Sequence, residues 1–212
     1  PTDSGITDPT YVMVEEFYEW IVDKNQIKGN LEIKGMIKVD NLMAYLERKL
    51  FTLNTGHAIT AYIGKSKGIA TVDESIMDPE VRAIVVGAMK ESGEVLINRY
   101  SFVREEHYKY IEKILKRFEN KYLKDDVSRV GRQPIRKKKK NERLIKPLLG
   151  TIEYNLPNDN LLQGIIYALK FDGEDEESIK LKGMLKEKGV EATLREITEN
   201  SIPDNLLATI TI

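Results

Sequence analysis

Cysteine is absent from this 212-residue chain, and histidine occurs only twice. No disulfide framework and no thiolate zinc site can be built from such a composition. The missing thiols fit a reducing compartment, and a cytoplasmic location is the expectation. No apolar run is long enough to span a bilayer. The opening Pro1-Thr-Asp-Ser-Gly5 lacks the basic start and apolar centre of a signal peptide. It also lacks an initiator Met, so a fragment or processed chain is expected. Nucleotide signatures are missing too. No Gly-x-Gly-x-x-Gly follows a strand, and no Gly-x-x-x-x-Gly-Lys-Ser/Thr loop occurs. The chain has no recognisable nucleotide site of its own.

What is present is the balance of an ordinary globular protein. Hydrophobic residues make up 41% and charged residues 32%, enough for a sizeable core without staples. The 33 Lys and Arg are offset by 34 Asp and Glu, so no global charge argues for a nucleic-acid or membrane partner. There is no internal repeat and no Gly/Ser-rich linker.

Residues 11–38 read as the least helical part. Val12, Val14, Tyr18, Trp20 and Val22 partly alternate with polar residues, as does Leu31–Lys34, and Gly29 and Gly35 supply turns. Strands are favoured there over a helix started by Asp8-Pro9. From Asn41 the helical period takes over. Asp40 is placed to cap a helix reaching about Ala61, with Leu42, Tyr45, Leu46, Leu50 and Leu53 at three- and four-residue steps. Asp78-Pro79 opens the next helix, and Tyr108 to Phe118 marks a third. Residues 121–140 are polar, basic and irregular, broken at Gly131 and Pro134. Helices are expected again around Leu144–Leu149, Leu161–Phe171, Glu177–Lys188 and Val190–Thr198, with a short helix or frayed end from Leu206 to Ile212. The organisation expected is a β element and connection over residues 1–39, then a helical domain over residues 40–212.

One stretch, Arg48-Lys-Leu-Phe-Thr-Leu-Asn-Thr-Gly-His57, combines residue types suited to alcohol oxidation. At about 100° per residue, Asn54 lies about 140° and His57 about 80° from Lys49, within one broad helix face. Removing a hydride from a carbinol carbon requires the hydroxyl proton to leave as well, and a base with a near-neutral pKa does this best. Burial or a cationic neighbour, such as Arg48 or Lys146, would bring a lysine toward that range. Asn54 can donate amide hydrogens to a developing alkoxide, and His57 can hold a hydroxyl. By spacing alone, a surface lysine, a cap and a satisfied histidine remain the commoner explanation. Asp125-Asp126 reads as a solvated turn or helix start rather than a metal site.

The segment Asp40–Ala58 resembles the signature of the mannitol-1-phosphate 5-dehydrogenases, within the polyol-specific long-chain dehydrogenases. Their Lys-x-x-x-x-Asn-x-x-His pattern is matched by Lys49, Asn54 and His57. Further matches are Glu19–Lys24, Gly87–Gly93, Arg117–Asn120, Tyr122–Pro134 and Arg143–Gly150. The resemblance implies a mainly α, multi-helical C-terminal domain, similar to that of 6-phosphogluconate dehydrogenase, with a small β element near its start. It implies Lys49 as general base, Asn54 and His57 as groups that polarise the reacting oxygen, and no metal. It also implies NAD as cofactor, bound by a dinucleotide-binding domain lying before this chain. The chain alone is then expected to be inactive. The implied reaction interconverts mannitol 1-phosphate and fructose 6-phosphate.

A phosphorylated substrate needs cations away from the reacting carbon, and the arginine fork suits phosphate oxygens. Candidates are Arg117, Arg129, Arg132, Arg143 and Lys146, with Asn120 for a sugar hydroxyl. The run Arg136–Arg143 is more basic than the family leads one to expect, and reads as a solvated loop. Two other functions stay open: an enzyme of the same family acting on an unphosphorylated polyol or a hexuronate, and a non-enzymatic helical binding module.

Overall fold

The computed structural model describes Thr10 and residues 18–212. Two short strands, β1 (Trp20–Asp23) and β2 (Met36–Val39), pair in parallel with Trp20 opposite Met36. Parallel neighbours need a long crossover, and residues 24–35 supply it. They turn at Gly29 and Gly35, whose φ of 78° and 87° suits glycine. The second strand therefore lies at Met36–Val39 and not at the expected Leu31–Lys34, which is irregular. Val12 and Val14 lie outside the described residues.

The helical part starts with α1 (Leu42–Arg48). Asn41, and not the expected Asp40, is its cap, its side chain accepting from the Ala44 amide at 3.2 Å. Asp40 pairs instead with Lys24 at 2.5 Å. The single helix expected up to Ala61 is three segments: α1, a π-helical turn over Lys49–Asn54, and α2 (Thr55–Ser66). Ala58, Ile59, Ala61, Tyr62 and Ile63 are all buried, so α2 is apolar around most of its circumference. It packs against α3 (Val72–Met77), α4 (Pro79–Tyr100), α6 (Val127–Gly131) and α9 (Asp159–Leu169). Gly64 permits the closest of these approaches, because a Cβ there would run into Ser75 of α3. Truncating the fully buried Ile59, which lies against Gly164 of α9, to Ala should cost ~2–5 kcal/mol.

The remaining elements follow their sequence signals. Asp78 caps α4, accepting from the amides of Glu80 and Val81 at 3.0 and 3.1 Å, with Pro79 in the first turn. α5 (Arg104–Phe118) buries Ile111, Ile114, Leu115 and Phe118. Gly131 closes α6, and Pro134 opens α7 (Pro134–Lys137). α8 (Ile145–Glu153) comes next. The two helices expected after Glu176 are present on either side of Gly189, whose φ of 76° and ψ of 178° are not helical, and together they are labelled α10 (Glu176–Ile197). α11 (Asp204–Leu207) ends the order. α3 was not expected, nor were α6 and α7, which fall in the stretch 121–140 read as irregular, since four to six residues are too few for a period to register.

Candidate active site

The π-helical turn reshapes the Lys–Asn–His spacing. Its bonding runs five residues apart, as from the Thr55 amide to the Leu50 carbonyl. Residues five apart, Lys49 and Asn54 among them, are thereby closer in angle than the 140° of a uniform α-helix. Both line one cleft of about 520 Å³, and Lys49 is exposed to it. Across the cleft stand Glu19, Tyr110 and Arg117, the first from the lead-in to β1 and the others from α5.

Side-chain hydroxyls add further bonds that anchor the widened turn. Ser92 of α4 donates its hydroxyl to the Phe51 carbonyl at 2.8 Å. The Thr55 hydroxyl lies 2.7 Å from the Arg143 carbonyl and 2.9 Å from that of Leu50. Phe51 itself is fully buried with Val95 and Leu96 of α4. Ser92 belongs to the Gly87–Gly93 stretch, whose other members also do structural work. Glu91 accepts from the amides of Asn160 and Leu161 at 3.0 and 2.9 Å, which caps the N-terminus of α9.

Arg48 and Lys146, the cations expected beside Lys49, are each matched to a carboxylate. The Arg48 guanidinium meets Glu19 at 2.7 Å and sits 4.2 Å above the Tyr110 ring and 4.7 Å above that of Tyr45. It ties the β element to the helical body at the end of the cleft. Lys146 pairs at 2.5 Å with Glu47, which is 6% exposed. Burial alone would raise the Glu47 carboxyl, but bonds from Lys146, Tyr100 and Arg99 outweigh it and hold its pKa below the ordinary value. Lys146 is thus committed inside the fold, which argues against the phosphate role expected for it.

His57 does not line the Lys49 cleft. It stacks on Phe118, ring centres 5.3 Å apart, and its Nε2 lies 2.9 Å from Asp125 Oδ2. The hydrogen bond from His57, against the opposing effect of burial, holds the Asp125 carboxyl below the ordinary range. The Asp125 backbone is itself pinned, its carbonyl accepting from the Val72 amide at 2.9 Å. Asp125 is therefore no solvated turn, whereas Asp126 does start a helix, accepting from the Arg129 amide at 2.8 Å. Arg117 and Asn120 share a narrow crevice with His57 and Asp125.

On its other side His57 faces an open basin of about 630 Å³ that holds Arg129, Arg132, Arg136, Lys137 and Arg143, with Asp175 to Glu177 opposite. Arg129 is paired with Asp125, and Arg136 with Glu142 at 3.3 Å. Arg132 uses its Nε on the Arg129 carbonyl at 3.2 Å, and Arg143 its Nε on Glu142 at 3.4 Å. Arg143 is thus also set against a carboxylate, whereas the bond of Arg132 goes to a carbonyl.

The basic run is not the solvated loop expected. Lys138 is 0% exposed and donates to the Ala168 carbonyl at 3.1 Å, while Lys137 is 5% exposed and donates to the carbonyls of Val130 and Arg132. Burial pushes both amines down to about 7, with Arg143 and Arg136 adding to the effect at Lys137, and Lys137 to that at Lys138. Among the described residues, no group of three or more His, Cys, Asp or Glu is placed to hold a metal ion, and no helix is long and apolar enough to cross a membrane.

The sequence model of the mannitol dehydrogenase C-terminal domain matches residues 41–212. The chain belongs to that family. Its fold is similar to a Pseudomonas fluorescens mannitol 2-dehydrogenase solved as a ternary complex with NAD and D-mannitol. That match has a TM-score of 0.65 at 20% identity and covers 82% of this chain and 38% of that one. A D-sorbitol dehydrogenase in substrate-free form matches with a TM-score of 0.61 at 18% identity, over 92% of this chain and 46% of that one. The chain thus spans less than half the length of either, and at these identities the likeness shows the fold alone.

Three residues that shape the site lay outside the sequence reading: Asp125 as partner of His57, Ser92 under the π turn, and Glu19 on Arg48. Asp125 and Glu19 lie in stretches quoted for the resemblance, but no local spacing links them to residues 68 and 29 positions away.

Proposed function

We propose that this chain is the substrate-binding and catalytic half of an NAD-dependent polyol oxidoreductase, its dinucleotide domain supplied by the rest of the parent polypeptide. The observation that carries the reading is Lys49 and Asn54 brought to one cleft by the π-helical turn, in a chain of the mannitol dehydrogenase C-terminal domain family. The described residues contain no glycine-rich turn from a strand into a helix, and so offer NAD no phosphate cradle. NAD held elsewhere would supply the hydride acceptor. On this chain, Lys49 Nζ takes the proton of the reacting hydroxyl, and the Asn54 amide donates to the same oxygen as negative charge develops. His57, oriented by Asp125, holds a second hydroxyl.

The substrate we favour is a polyol phosphate, mannitol 1-phosphate, with its phosphate toward Arg132 and Arg143. Both line the basin that His57 borders. A free polyol is the second reading, favoured by the carboxylates already set against Arg129 and Arg136. Initial rates of NAD reduction by the purified parent polypeptide decide between them. Mannitol 1-phosphate should exceed mannitol, sorbitol and hexonates in kcat/KM by at least tenfold. A preference for free mannitol would transfer the assignment to the second reading, and no NAD reduction with any of them would overturn both.

A further inference from the structure

His107, in the first turn of α5, is a buried titratable side chain with no part in the site described above. It is 2% exposed, and neither ring nitrogen has a hydrogen-bond partner among the described residues. The ring rests on Gly93 of α4, where a Cβ would fall 2.6 Å from Nε2. Phe102 and Tyr110 flank it, with ring centres 6.3 and 6.1 Å away. The same two rings carry the Arg48 guanidinium, at 5.7 and 4.2 Å. Arg48 in turn meets Glu19 at 2.7 Å and so ties the β element to the helical body. The charge facing the imidazole is therefore that of a cation. The other polar groups around it are turned elsewhere. Tyr110 directs its hydroxyl to Glu19 at 3.4 Å, and Tyr45 of α1 lies edge-on to Phe102. Glu94, next to Gly93, is bonded to Arg104 and Tyr108, and Tyr100 to Glu47.

A neutral imidazole fits this pocket and an imidazolium does not. Protonation adds a second N–H donor where no acceptor stands, and a second positive charge beside Arg48. The N-terminal end of α5 is itself unfavourable to a cation. We propose that His107 is a proton-operated latch. A proton on its ring drives the first turn of α5 off Gly93, unseats Arg48 from Phe102 and Tyr110, and frees the β element from the helical body. The electrostatics run in the same sense. Burial, with Arg48 adding to it, pushes the ring down to about 4 in the closed chain, against ~6.5 for a free histidine. Between those values the open form binds a proton that the closed form does not. Opening therefore grows as pH falls from about 6.5 and levels off below about 4. Free carboxylates are still largely ionised above ~5, so the upper part of that window belongs to histidine. The other histidine, His57, has Asp125 at 2.9 Å to pair a charged ring. The proposal concerns the joint between the β element and the body, and it stands or falls separately from the oxidoreductase reading.

Amide hydrogen exchange of the 212-residue chain, followed by mass spectrometry from pH 7 to pH 5 and corrected for the intrinsic pH dependence, tests the latch. Two segments report it. One is the first turn of α5. The other is the strand Met36–Val39, because a two-stranded sheet freed from the body does not persist alone. Opening of both should rise ~10-fold or more between pH 7 and pH 5, while the amides of α2 and α9 stay unchanged. His107→Phe, which keeps a ring on Gly93 and removes the charge, should abolish the rise in both segments. His57→Gln should leave it intact. Proton NMR of the two histidine rings gives a second reading that needs no change at His107. With the rings assigned through His57→Gln, the His107 ring should stay unprotonated in the closed chain down to pH 5. A His107 ring that charges near pH 6.5 with exchange of both segments unaltered would overturn the proposal. So would a rise that survives in folded His107→Phe, or an opening of α5 that leaves exchange of the strand untouched.

Discussion

The cleft around Lys49 and the basin around Arg132 share no lining residue, a narrow crevice holding Arg117 of the one and His57 of the other, and they are built by different means. The cleft depends on one local backbone device. A π-helical turn, anchored by Ser92 and by the buried Phe51, brings Lys49 and Asn54 to one cleft with Glu19 and Tyr110. The basin depends on charges drawn from α6 to α10, several already matched to carboxylates and one lysine whose basicity burial lowers. The difference teaches that reactivity and anion recognition can be changed separately here. Substitutions in the cleft should act on the chemical step, and those in the basin on substrate choice or on stability.

The largest effect that tests this division is expected in the cleft. Asn54→Ala in the parent polypeptide should lower kcat by ~10²–10³, the loss usual for one donor to a developing oxyanion, with little change in KM. A rise in KM alone would move Asn54 from chemistry to binding. The next effect belongs beneath the basin. The Lys138 amine sits near 7 in the fold, against ~10.4 for a free lysine. Between those values the unfolded chain binds a proton that the folded chain does not, so stability rises with pH from about 7 to about 10. Lys137 contributes in the same sense. Lys138→Met should therefore stabilise the chain at pH 7 by ~1–3 kcal/mol, the usual cost of a poorly compensated buried polar group, and flatten part of that rise. Thermal melts at pH 7 and pH 9 measure both, and a variant that melts lower at pH 7 contradicts the account. The smallest effect is in the basin itself. Arg132→Gln should raise KM for a phosphorylated polyol by about tenfold, the ~1.4 kcal/mol of one charge-assisted contact, and leave kcat and the KM for free polyols unchanged. An equal loss for both substrates would erase the distinction between the two regions.

Much of the fold was legible because its signals are local. Asp78-Pro79 opened α4, the apolar period of Ile111 to Phe118 marked α5, and Gly189 divided α10 where two helices were expected. The motif at Lys49, Asn54 and His57 was legible as residue types, but its geometry was not. A period of 3.6 assumes an unbroken α-helix, and nothing in Lys49–Asn54 announces bonding five residues apart. Burial of Lys137 and Lys138 ran against the rule that charge runs face water. The rule fails here because carbonyls offset part of the burial cost, those of Val130 and Arg132 for Lys137 and that of Ala168 alone for Lys138. The pairing of His57 with Asp125 required knowing that residues 70–72 pin the backbone around residue 126, a contact that sequence spacing does not encode.

The central claim is that Lys49 removes the hydroxyl proton. Its most direct test is the single-turnover rate of NAD reduction in the parent polypeptide carrying Lys49→Ala, with polyol saturating and NAD binding checked by fluorescence. The account predicts a rate lower by ~10²–10⁴ with NAD affinity unchanged. A rate equal to that of the unsubstituted protein would contradict it.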